Sequence, residues 1–156
     1  MKRTLTLLIA IAVIGSIGAS VAVAGASKTK LVLHNTKTHR YGTILVMGSG
    51  PFRGFTLYAF SLDRRNKDAC QGIPACLTAW PPVTAPNGVA PGPGVKRSLI
   101  GTIRLKSGKV QVTYNGRPLY RYMGDTHPGE TTFINLFQFQ GTWPAVNAAG
   151  QDITGK

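Results

Sequence analysis

Acidic side chains are scarce in this sequence, which has 5 aspartates and glutamates against 18 lysines and arginines and a formal net charge of +13. Only one pair of them, Asp63 and Asp125, recurs in matching sequence contexts and could serve a hydrolase that needs two carboxylates. The chain also lacks a Gly-x-Ser-x-Gly elbow, a His-Glu-x-x-His helix and a phosphate-binding loop. We therefore expect a noncatalytic protein without a cofactor, and an aspartate-dependent hydrolase is only a third-ranked hypothesis.

Cysteine is equally sparse, with Cys70 and Cys76 alone. Their spacing is not the Cys-x-x-Cys of redox enzymes, and no histidine follows as haem attachment requires. In an exported chain such a pair predicts a structural disulfide. Neither cysteine lies near the amino terminus, where a lipid anchor would be attached, so we expect no lipid anchor.

The amino terminus carries Lys2 and Arg3, then an uncharged and largely apolar stretch that ends in small residues. This pattern predicts a secretory signal peptide over residues 1–24, with cleavage after Ala24 or as late as Ala26. An uncleaved membrane anchor is the alternative. The mature protein is expected in the periplasm, outside the cell or on its surface.

Removal of the signal peptide leaves 16 basic and 5 acidic side chains, a difference of +11. A positive field of this size attracts polyanions, and outside the cytoplasm these are anionic envelope polymers or lipid headgroups rather than nucleic acid. The alternative is that the charge only keeps the domain soluble. No oligomeric state is predicted.

A ten-residue phrase occurs twice, at 54–63 and 116–125, and reads Gly-x-x-Leu-Tyr-x-aromatic-x-x-Asp. Each copy is followed by Trp-Pro-x-Val, beginning at Trp80 and at Trp143. Such self-similarity indicates internal duplication. The sequence therefore predicts one domain at 41–150 built from two repeats, 41–83 and 100–147, joined by a Pro/Gly-rich connection at 84–99. A basic lead-in at 27–40, in which 31–33 is a candidate for a short edge strand, precedes the domain, and a polar tail at 151–156 follows it.

Short β-branched and aromatic segments separated by turn residues predict an all-β fold, a small antiparallel sandwich or barrel-like domain. Strands are expected at 41–47, 55–60, 100–105, 110–114 and 118–123. Strand 55–60 carries bulk on both faces and is expected to be covered on both. Strand 110–114 alternates and is expected to be half-buried. Asn115-Gly116 predicts a type I′ hairpin turn, and 133–139 fits a short strand or a single helical turn.

The repeated side chains admit two interpretations. In one, Asp63 and Asp125 are partners for a cation or another ligand, which makes them weak metal candidates. In the other, each aspartate accepts backbone N–H bonds in the loop after its strand, while Tyr58, Tyr120 and the two tryptophans fill the core. The second interpretation is favoured, because aspartate commonly caps turns.

The Tyr-x4-Asp spacing, the cysteine loop before Trp80-Pro81-Pro82, and the run from Tyr114 to Tyr120 resemble a bacterial family described as a secreted repeat of unknown function, found in predicted lipoproteins. The resemblance spans about 41–150. It implies a bacterial exported protein of tandem repeats with no established activity, and this chain differs by lacking a lipid-accepting cysteine.

Together these features predict an exported, noncatalytic protein of the cell envelope or the extracellular space, whose ligand the sequence does not identify and for which anionic surface material is the candidate. A metal- or redox-associated accessory protein, using Asp63 and Asp125 or the cysteine pair, is the alternative hypothesis.

Overall fold

The computed structural model describes residues 29–155, so the predicted signal peptide lies outside the described residues. Short strands dominate, which confirms the predicted all-β class, and the only α-helix in this range is a single turn. The strands are β1 (Leu31–Thr38), β2 (Gly42–Met47), β3 (Val89–Pro91), β4 (Ile100–Arg104), β5 (Val110–Tyr114), β6 (Arg117–Pro118), β7 (Leu136–Gln138), β8 (Gly141–Trp143), β9 (Ala145–Val146) and β10 (Asp152–Ile153). The helical turns are 3₁₀ at Cys70–Gly72 and Arg97–Leu99, and α1 at Cys76–Ala79.

One sheet has the order β2-β1-β3. Strand β1 pairs antiparallel with β2, from Leu33 opposite Met47 to Thr38 opposite Gly42, and parallel with β3. The segment expected to be a lead-in thus supplies a central strand, with Leu33 fully buried. Strand β3 lies in the segment expected to be only a connection. Proline at the end of β3 is compatible with pairing because β3 is an edge strand.

A second sheet has the order β4-β5-β6, and the strand predicted at 110–114 is confirmed as β5. Asn115 and Gly116 both have positive φ, 52° and 76°, as the predicted type I′ turn requires. The prediction that β5 is half-buried is wrong, because Gln111 and Thr113 on its second face are also buried. Gln111 is accommodated there because its amide donates to the Leu119 carbonyl oxygen at 3.1 Å.

The two phrases cross one another, and most of their residues lie outside regular strands. Tyr58 and Tyr120 exchange both backbone hydrogen bonds, at 3.0 Å and 2.9 Å. The strand predicted at 55–60 is reduced to isolated bridges at Thr56 and Tyr58. The strand predicted at 118–123 is reduced to Pro118, at the end of β6, and to bridges at Tyr120. Pro118 lies in the second of these segments, while Pro82 and Pro144 lie in the segments that pair with them, opposite Tyr120 and Ala59. Because proline has no N–H, these residues limit how far a ladder extends.

Side chains of the first phrase alternate between two apolar clusters, so its expected burial on both faces is confirmed. Leu57 and Ala59 enter a cluster with Leu33, Val112 and other aliphatic side chains. Tyr58 and Phe60 enter a second cluster, which holds both tryptophans and both cysteines. The second cluster positions every repeated aromatic side chain of the candidate site.

The carboxyl-terminal region forms two short pairs. Strands β7 and β8 form a hairpin, so the segment 133–139 contains a short strand. Strand β10, from the expected tail, pairs antiparallel with β9.

Candidate functional site

Each repeated tyrosine reaches the aspartate of the other phrase. The Tyr58 hydroxyl donates to Asp125, at 3.1 Å from Oδ2 and 3.2 Å from Oδ1. The Tyr120 hydroxyl donates to Asp63 Oδ2 at 2.9 Å. The backbone pairing of Tyr58 with Tyr120 brings these groups together. The structure therefore joins the four residues as two exchanged pairs, and not as a tyrosine and an aspartate within one phrase.

The two repeated tryptophans lie face to face at the centre of the second cluster. Trp80 and Trp143 stack with ring centroids 3.9 Å apart and an interplanar angle of 3°. Each also makes one edge contact, Trp80 with Tyr58 and Trp143 with Tyr120, at 5.2 Å in both cases. Both tryptophans are fully buried. The side chains of the two Trp-Pro segments thus share one core.

Asp63 is held from two sides. Its Oδ1 accepts the Ala69 N–H at 2.7 Å, and its Oδ2 accepts the Tyr120 hydroxyl. Burial raises the pKa of Asp63 to about 7, against the lowering effect of these two hydrogen bonds. The backbone bond is the loop-capping contact that one interpretation of the sequence expected.

Asp125 is held differently. It is only 7% exposed, and its sole hydrogen-bond donor among residues 29–155 is the Tyr58 hydroxyl. Burial raises the pKa of Asp125 to about 7, and the Tyr58 hydrogen bond opposes this shift. Burial also raises the pKa of both tyrosines, so their hydroxyls stay protonated and act as donors.

Cys70 and Cys76 form the predicted disulfide, with their Cα atoms 5.5 Å apart. The bridge closes a loop that begins directly after Ala69 and leads through α1 to Trp80. Asp68 lies just before this loop and accepts the Gln71 N–H at 2.9 Å. The disulfide thus lies between the backbone donor to Asp63 and the tryptophan stack.

A cavity of about 300 Å³ opens beside Asp63. Three arginines contribute to its wall, and the remaining lining comes from the Asn115-Gly116 turn and adjacent residues. The lining residues are Phe60, Asp63, Arg64, Arg65, Asn115, Gly116, Arg117 and Pro118. This cavity could not be predicted from the sequence, because its two walls are about fifty residues apart in the chain. The basic doublet directly after a repeated aspartate was the one available signal.

Metal ligation finds no support among residues 29–155, where no group of three or more His, Cys, Asp or Glu side chains could hold an ion. Asp63 and Asp125 each face a tyrosine hydroxyl. His127 is exposed and lies 3.7 Å from Glu130. Each candidate metal ligand is thus hydrogen-bonded to a tyrosine, and the described residues do not place beside it the further ligands that a metal site requires.

All five carboxylates of the sequence have partners within the fold. Besides the two repeated aspartates and Asp68, Asp152 pairs with Arg117 at 2.8 Å, and Glu130 accepts the Thr126 N–H at 3.0 Å. Many basic side chains are exposed, namely Lys30, Lys37, Arg40, Arg53, Arg64, Arg65, Lys67, Lys96, Arg97, Arg104, Lys106 and Lys109. The surface of the described residues is therefore strongly positive.

Comparison with known proteins places the second phrase in a family. Residues 101–147 match the family described as a secreted repeat of unknown function. The match contains the second phrase together with Trp143 and ends at the position after Val146. It confirms the resemblance over this part of the chain. No curated protein and no solved structure matches the chain.

The description of this secreted repeat agrees with the export expected from the amino terminus. Within residues 29–155, none of the helical turns has the length or apolar character to cross a bilayer.

Proposed function

We propose that this protein is an exported, noncatalytic component of the cell envelope or its surroundings that attaches to anionic surface material through its positive surface. The separation of charge in the fold carries this proposal. The carboxylates are engaged in internal contacts, while most basic side chains of residues 29–155 are exposed. Export without a lipid anchor, as the sequence predicts, would make such attachment the means of retention.

The state of the two repeated aspartates strengthens the positive field. Because the pKa of Asp63 and of Asp125 is about 7, each holds a proton for part of the time at neutral pH. The protein then carries a larger positive charge than the formal net charge, which counts both aspartates as ionised. A net positive field supports long-range attraction of polyanions, and salt screens that attraction over about 10 Å at 0.1 M.

Retention of the mature protein on anionic material tests the proposal. We expect binding to anionic wall polymer or to vesicles rich in anionic lipid, and release as salt is raised from about 0.05 to 0.5 M. Neutral vesicles and an uncharged polysaccharide are the matched controls. Absence of retention at low salt on every anionic material would contradict the proposal.

A further inference from the structure

We propose that the arginine-lined cavity beside Asp63 binds a single phosphate group carried by a water-borne ligand, such as one unit of a phosphodiester polymer. This inference rests on the proposed attachment to anionic material and names the site and the chemical class that it recognises. Arginine is suited to the task because its planar guanidinium presents paired N–H donors to two oxygens of one phosphate.

One wall of the cavity is held by the contact between Arg65 and the hairpin turn. The Arg65 guanidinium donates to the Asn115 carbonyl oxygen at 3.3 Å, and the Asn66 N–H donates to the Gly116 carbonyl oxygen at 2.7 Å. A Cβ atom at Gly116 would lie 2.7 Å from Arg65 Cγ, so the absence of a side chain there lets the arginine lie across the turn. The loop 64–67 and the turn thus form a defined recess and not two independent surfaces.

The other two arginines differ in how far the fold uses them. Arg117 pairs with Asp152, and its side chain stays 38% exposed. Arg64 is exposed and makes no ion pair or side-chain hydrogen bond within residues 29–155. The one acidic group in the lining, Asp63, is already engaged by the Ala69 N–H and the Tyr120 hydroxyl. The recess therefore has three cations, of which Arg64 has every donor available for a ligand.

The lining favours a ligand in water over a bilayer surface. Its apolar members, Phe60 and Pro118, are buried and expose no ring for insertion among lipids. A volume near 300 Å³ is at the small end of ligand cavities, which suits one phosphorylated unit. The positive lysines at the β4–β5 turn lie at the opposite end of β5, outside the cavity.

The test is a titration of the mature protein with inorganic phosphate and then with a glycerol phosphate oligomer. The ¹H–¹⁵N NMR signals of Arg64, Arg65 and Gly116 are monitored in both titrations. We expect saturable shifts of these signals. The variant R64Q/R65Q should weaken phosphate binding roughly tenfold or more, the equivalent of one charge-assisted hydrogen bond. The variant K106Q/K109Q removes the same charge from the opposite end of β5 and should change the affinity less than about twofold.

The variant R64K/R65K separates geometry from charge, because lysine keeps the charge and loses the fork. It should bind phosphate several-fold more weakly than the wild type while its retention on wall polymer stays near the wild-type level. If the wild type, R64Q/R65Q and K106Q/K109Q all bound phosphate with equal affinity, the cavity would not be the phosphate site. Larger shifts of the cavity signals with anionic vesicles than with the oligomer would also contradict this inference.

The outcomes separate this inference from the proposed function. If the wild type is retained on wall polymer but binds phosphate with the same affinity as both glutamine variants, surface attachment stands and the cavity fails. If the wild type is not retained but its cavity signals saturate with phosphate and R64Q/R65Q abolishes the shifts, the phosphate site stands and polymer attachment fails.

Discussion

The loops after the two phrases hold equivalent aspartates in different ways. Asp63 accepts a backbone N–H from a disulfide-closed loop as well as the Tyr120 hydroxyl, and an arginine-lined cavity lies beside it. Among residues 29–155, the only donor to Asp125 is the Tyr58 hydroxyl, and its loop is organised by Glu130 through Thr126 and Thr132. The exchanged tyrosine contact is the common feature. The loops differ around it, and among the described residues the basic recess lies beside the first.

Truncation of either central tryptophan should have the largest effect on stability. W80A and W143A each remove a fully buried ring in contact with three other rings, and each should lower the free energy of unfolding by about 3–5 kcal/mol. Urea unfolding followed by circular dichroism measures the loss. F137A, at a ring that is 69% exposed, is the control and should change stability by no more than about 0.5 kcal/mol. A large loss for one tryptophan alone would show that the halves are not equally dependent on the stack.

Removal of the two tyrosine hydroxyls should lower stability by different amounts, because the two aspartates differ in their other hydrogen bonds. Y58F leaves Asp125 without a hydrogen-bond donor among the described residues and should cost about 1–3 kcal/mol of unfolding free energy. Y120F leaves Asp63 its backbone donor and should cost about 1 kcal/mol or less. Y122F is the control, because the Tyr122 ring stacks on Trp80 and its hydroxyl makes no hydrogen bond within residues 29–155. Equal losses for Y58F and Y120F would remove this distinction between the loops.

Loss of the disulfide should affect the first loop and spare the second. On the chain-entropy estimate, C70A/C76A lowers the free energy of unfolding by about 2 kcal/mol. Because Ala69 directly precedes Cys70, the variant should also loosen the backbone donor to Asp63. Hydrogen exchange should rise at Ala69 and stay unchanged at Thr126. Faster exchange at both sites would indicate that the loops are coupled.

Stability should depend on pH through both aspartates. Each has a pKa of about 7 in the folded protein and an ordinary value of 3.8, so the folded state holds protons that the unfolded state has released. The free energy of unfolding should therefore fall as pH rises through this window and level off above pH 7. The slope is at most about 1.4 kcal/mol per pH unit for each carboxyl. D63N and D125N should each flatten the profile, and an unchanged slope in both variants would contradict the assigned pKa values.

Local features of this fold follow from the sequence, and features that join distant segments do not. The alternation at 55–60, strand β5, the Asn115-Gly116 turn and the disulfide depend on neighbouring residues, and each was predicted. The central position of β1 depends on β3, some fifty residues later, whose proline argued against a strand. The burial of Gln111 depends on the Leu119 carbonyl, which periodicity does not reveal.

The candidate site shows the same division. The repeat identified the tyrosines, aspartates and tryptophans, because identical spacing in two copies is visible along one chain. The spacing could not tell which aspartate each tyrosine meets, because that depends on how the two copies cross. Nor could it bring Arg64 and Arg65 to Arg117, since only the folded turn places them on one cavity.

The exchange of tyrosine–aspartate partners is tested most directly by site-resolved ¹³C titration of the two carboxyl groups in Y58F and Y120F. The hydrogen bond from Tyr58 lowers the pKa of Asp125, and that from Tyr120 lowers the pKa of Asp63. Y58F should therefore raise the pKa of Asp125 and leave that of Asp63 unchanged, and Y120F should do the reverse. If each tyrosine instead shifted the aspartate of its own phrase, the exchanged pairing would be wrong.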